Sequence, residues 1–203
     1  MVKKHQGIQS YEIIGLVAIG IIIISLATLG ISFTGKVTDT AKVNLTIEST
    51  ASINFTTSLI QFESGMVTSG QSYSILVTNG TVSNGNWTAV SDGFILENNG
   101  NKAVTLDIKT GLTNATMIGG TLPRYEYNVS NSKAGSCNVT GVTFTLGVFQ
   151  NVNTTSDGTR VCEHFSPNST QDTIRIDILI GIPADSYTGV RSDTMTATAT
   201  AVA

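Results

Sequence analysis

The sequence predicts a chain of the α+β class by parts, one long N-terminal hydrophobic helix followed by an all-β sandwich of the Ig-like, Greek-key kind. Three observations carry this. No charged residue occurs from Ile13 to Gly35. From about Asn44 onward the apolar residues alternate with polar ones, the period of a half-buried strand. Turn-forming pairs then recur at short intervals and no helical period of three or more turns follows Ala41. The 203 residues divide accordingly into a leader, 1–7, a hydrophobic helix, 8–41, and a β-sandwich domain, 42–203.

Composition narrows the function. With 11 Lys and Arg against 14 Asp and Glu, the net charge is -3, and a weakly acidic chain offers phosphates no basic footprint, which excludes nucleic acid as a partner. Two His and two Cys leave little for a metal cluster or a histidine-dependent hydrolase. The expectation is of no metal, no cofactor and no enzyme activity.

The 23 uncharged residues of 13–35 would span about 35 Å as a helix, enough for a hydrocarbon core of roughly 30 Å. Lys3 and Lys4 precede them and no comparable basic pair follows closely, so the start faces the cytoplasm and the chain beyond Lys36 is exported. Three readings of the segment remain open: a permanent signal anchor, a secretory signal cut after Ala27, or a polar leader cut after Gly7 with the apolar run kept on the mature protein.

The order Lys3, Lys4, Gly7, Ile8, Ser10, Glu12 and then the apolar run resembles the class III signal peptide of archaeal type IV pilins and archaellins. The resemblance covers about 35 residues. It implies cleavage between Gly7 and Ile8, recognition of the leader through Lys3 and Lys4, and Glu12 as the fifth mature residue. Ser at the third mature place is more like the adhesive pilins. Gln6 before the cut and Gln9 in second place depart from the usual pattern. The resemblance also implies a prepilin peptidase and a pilus assembly machinery as partners, the cytoplasmic membrane as the site before assembly, and a homopolymer packed through the N-terminal helix. A carboxylate drawn into an apolar layer needs a partner, and cleavage creates one in the new α-amino group on Ile8, a few residues from Glu12, unless Glu12 stays hydrated at the interface. The resemblance implies that Glu12 serves assembly by neutralising the N-terminus of a neighbouring subunit.

In the β part, Val104, Leu106 and Ile108 alternate with Thr105, Asp107 and Lys109. Val142, Phe144, Leu146 and Val148 repeat the pattern, and the isoleucines at 174, 176, 178, 180 and 182 are its longest case. Further strands are expected at 45–47, 53–55, 72–78, 93–97, 125–129 and 193–202. The last has Met195, Ala197, Ala199 and Ala201 on one face and four threonines on the other, so another layer can approach closely, either the opposite sheet or a neighbouring subunit. Turns are expected at Asn79-Gly80, Asn84-Gly85, 98–101, Gly119-Gly120 and Asp157-Gly158.

Cys137 and Cys162 are the only cysteines, both on the exported side, and an even count there favours a disulfide over two free thiols. The acceptor motif Asn-X-Ser/Thr occurs at Asn44, Asn54, Asn79, Asn86, Asn114, Asn128, Asn138, Asn153 and Asn168. A shuffled chain of this composition would hold about four such motifs, so the excess points to N-glycosylation. Turn-adjacent Asn79, Asn86 and Asn114 are the sites most expected to carry glycan.

These readings converge on a structural role at the cell surface: the subunit of an extracellular adhesive pilus of the archaeal type IV kind. The alternatives are an archaellin, or a membrane-anchored β-sandwich module that binds carbohydrate or an S-layer and never polymerises.

Overall fold

The computed structural model describes residues 42–202. The chain divides into two units, Met1–Thr46 and Ile47–Ala203. Residues 42–46 of the first are exposed and carry no regular structure. The expected helix over 8–41, and with it Lys3, Lys4, Gly7, Ile8 and Glu12, lies outside the described residues.

The α+β class is corrected by the second unit, which is nearly all β. Its strands are β1 (Ile53–Thr57), β2 (Tyr73–Val77), β3 (Thr81–Ser83), β4 (Phe94–Asn98), β5 (Val104–Thr110), β6 (Arg124–Asn131), β7 (Cys137–Asn138), β8 (Gln150–Asn151), β9 (Thr159–Phe165), β10 (Thr173–Pro183) and β11 (Met195–Ala201). A single turn of helix, α1 (Asn114–Met117), is capped by Thr113 through a capping box with Thr116. Among the described residues no helix is long and apolar enough to cross a membrane.

The strands form two antiparallel sheets, one of seven strands and one of four ordered β11-β5-β9-β7. β10 organises the larger sheet. One of its edges is shared, the first half by β4 and the second by β2, while β6 lies along the other edge over eight residue pairs. β1 extends β4, β3 extends β2 and β8 extends β6. This sandwich-like arrangement is not the Ig order of four strands on three. From β4 to β11 every successive strand changes sheet, so no pair of consecutive strands there is a hairpin.

The core lies between the sheets. The larger sheet contributes Leu96, Tyr127, Val129, Ile174 and Ile176, the smaller one Val104, Leu106, Ile108, Val161 and Phe165, and all are at most 1% exposed. Alternation therefore works as expected in β5, whose burial switches residue by residue, and in the first half of β10.

Two expected strands are absent. Segment 45–47 is exposed and unpaired among the described residues. Segment 142–148 is a series of turns, because Gly141 and Gly147 take positive φ, a region open to glycine and costly for other residues. Its apolar residues are still used: Phe144 stacks on Tyr127 with ring centroids 5.4 Å apart, and the Gly147 N–H donates to the carbonyl of Val129 at 3.0 Å.

Candidate functional site

Among the described residues, the features that bear on function are distributed over the surface of the β unit. They are a disulfide, the acceptor asparagines, the sheet edges and one open cleft.

Cys137 on β7 and Cys162 on β9 form a disulfide, with Cα atoms 5.3 Å apart. Both residues are buried in the core. β7 has only two residues paired with β9, too few to hold a strand by ladder bonds, so the covalent bond fastens this edge. Closing a loop of 25 residues stabilises by about 3 to 4 kcal/mol in the chain-entropy model.

None of the nine acceptor asparagines is fully buried. Asn44, Asn54, Asn79, Asn86, Asn138 and Asn168 are exposed, while Asn114, Asn128 and Asn153 are half-buried. Asn79, Asn138, Asn153 and Asn168 each accept, at Oδ1, the backbone N–H of the threonine two residues on, at 3.1, 2.8, 3.0 and 3.1 Å. This Asx turn fixes the amide and turns Nδ2 away from the local backbone. At Asn153, however, Nδ2 donates to the Gly158 carbonyl and the Thr159 hydroxyl. At Asn114, Nδ2 donates to the Pro123 carbonyl, and the threonine of the same motif is engaged in the cap of α1. Asn114, expected from its turn signals to carry glycan, is therefore half-buried with its amide engaged: a position beside turn signals is also where polar side chains close the turn.

The edges of the sheets differ in how they are guarded. β3, β7 and β8 are two or three residues long. β1 carries a register shift between Phe55 and Thr57 and the exposed Asn54. The part of β9 beyond β7 carries Arg160 and Glu163, the former bound to Asp107 at 2.7 Å. Short strands, irregular register and charge are the usual defences against unwanted pairing. β11 has none of these.

An open cleft of about 560 Å³ lies where β2 and β6 begin and β10 ends, lined by Tyr73, Thr121, Leu122, Arg124, Pro183 and Asp185 among others. Its charges are satisfied internally. Arg124 grips Glu126 through two bonds of 2.7 and 2.6 Å. Asp185 accepts from the Thr121 N–H and hydroxyl, which hold its carboxyl below the usual range. The Tyr73 hydroxyl is buried with no hydrogen-bond partner among the described residues, and burial raises its pKa. A neutral phenol, an ion-paired guanidinium and a carboxylate already bonded by two donors supply no nucleophile and base in contact. His164 is exposed on β9.

No protein-family model matches the chain, and neither does any curated protein or solved structure.

Proposed function

We propose that the chain is the structural subunit of an extracellular adhesive filament of the archaeal type IV pilus kind. A prepilin peptidase removes residues 1–7 in the cytoplasmic membrane, and the assembly machinery joins subunits through the apolar segment. The single observation that carries the reading is the spacing of Gly7 and Glu12 directly ahead of 23 uncharged residues. Two features of the β unit support it. A buried disulfide suits an oxidising exterior, and six exposed acceptor asparagines, Asn44, Asn54, Asn79, Asn86, Asn138 and Asn168, suit an exported, glycosylated surface.

Mass spectrometry of the mature N-terminus tests the reading. Ile8 is the expected first residue, and Gly7→Val should leave the full-length precursor in the membrane. A chain beginning at Thr28 would indicate a secreted domain, and one beginning at Met1 or Val2 a permanent anchor. The cleft beside Tyr73 favours a second reading, an anchored module that binds carbohydrate. Electron microscopy of material sheared from cells separates the two, since only the pilus subunit yields filaments.

A further inference from the structure

Among the described residues, β11 is the one long edge of the β unit without protection. Its seven residues pair with β5 in unbroken register, and from Met195 to Ala201 it holds no charge, proline, glycine or acceptor asparagine. The Gly111 N–H donates to the Thr194 carbonyl and the Val202 N–H to the Ala103 carbonyl. Because backbone groups alternate in direction along a strand, the even-numbered residues bond to β5. The N–H and C=O groups of Met195, Ala197, Ala199 and Ala201 therefore face outward. On the inner face, Met195, Ala197 and Ala199 pack against the core yet stay only half-buried, so the apolar layer stops short at this edge.

The same chain contains a strand-like segment with nothing to pair with among the described residues. In 43–47, Val43, Leu45 and Ile47 are 90%, 79% and 78% exposed, and they alternate with Asn44 and Thr46. Set beside β11, this segment would lay its three large side chains over the alanines and continue the threonine face with Asn44 and Thr46, which keeps the Asn44 acceptor in solvent.

We propose that the open edge of β11 takes segment 43–47 of a second copy of this chain as an added strand. An edge on one subunit and a segment elsewhere on the next make a head-to-tail contact, which propagates as a filament when it does not close. The inference rests on the filament reading and adds to it a contact outside the apolar segment.

Ala199→Pro in the full-length chain tests it, because the substitution removes an outward N–H and leaves the bonds to β5 in place. The expected result is a subunit with an unchanged unfolding midpoint that no longer assembles. In parallel, Thr46→Cys is combined in turn with Thr196→Cys, Thr198→Cys and Thr200→Cys. One of the three registers should give a ladder of multimers on non-reducing gels, and this readout decides alone should the proline variant fail to fold. Wild-type filaments together with unchanged Ala199→Pro filaments overturn strand addition and leave the pilus reading standing. A bridge closed within one chain, or no ladder in any register, also overturns it. Absence of filaments and of a ladder in every sample overturns both.

Discussion

β10 and β11 are built on the same alternation, but one is the centre of its sheet and the other an edge. β10 carries isoleucine at alternate positions and is hydrogen-bonded on both sides, to β6 on one and to β4 and β2 on the other. β11 carries alanine and threonine and is bonded only to β5 among the described strands. Side-chain volume accounts for much of the difference. Ile174 and Ile176 fill the space between the sheets and are fully buried, whereas the alanines of β11 leave that space partly open. In these two strands the alternation is shared, and it is the size of the inward residues that separates the central strand from the edge.

The largest test of the contrast is Ile176→Ala, which should cost about 4 kcal/mol in denaturant unfolding through lost burial and the cavity left behind. Ala197→Gly, at the matching inward place in β11, should cost about 1 kcal/mol or less. Equal losses would break the comparison. Replacing Cys137 and Cys162 together by alanine should cost about 3 kcal/mol, the second largest effect, and would show that the edge opposite β11 is held covalently.

Thr78→Val comes next. The Thr78 hydroxyl donates to Asp177 at 2.7 Å and accepts from the Ile178 N–H at 3.0 Å, so it prolongs the ladder between β2 and β10 through a side chain. Its loss strands a buried N–H and weakens the bonding of Asp177, with a cost of about 1 to 3 kcal/mol. Arg175, bonded to Asp177 and to the Thr78 and Ser91 carbonyls, limits the damage by holding the carboxylate.

The smallest effect is at the start of β10. Lys133 and Thr173 bond Asp172 and hold its carboxyl below the ordinary value of 3.8. A depressed folded-state pKa adds stability above the unfolded value, and that stability is lost as pH falls through the folded one. Asp172→Asn should therefore melt slightly below the wild type at about pH 6 and converge with it once the pH has fallen through the folded-state value, which lies below 3.8. A difference that grows on acidification would contradict this assignment.

The same contrast explains how far the molecule could be read from its residues. β5, β10 and β11 were legible because in each an apolar residue recurs at every second position. β9 was not, since its pairing with β5 shifts register near Leu106, which buries the adjacent residues Val161 and Cys162 together and erases the period. β3, β7 and β8 are too short to show any period. Segment 142–148 has the period without the strand, because burial of Phe144 and the two flanking glycines satisfies its apolar residues in turns. Of the candidate sites, the disulfide follows from cysteine count. The sorting of acceptor asparagines depends on where each Nδ2 points, and only the folded positions of Pro123, Gly158 and Thr159 reveal that.

The central place of β10 also sets the order in which the β unit can form. β2, β4 and β6 all pair with it, and it ends at Pro183. A chain emerging from its N-terminus holds these three strands for up to a hundred residues before their common neighbour arrives. Until then only flanking pairs such as β1 with β4 or β5 with β9 are complete, and each leaves apolar surface uncovered. Such non-local pairing makes folding slow and leaves intermediates prone to association. Closure of the larger sheet thus waits for residues 173–183, and the interval before it is when the β unit leaves the most apolar surface uncovered.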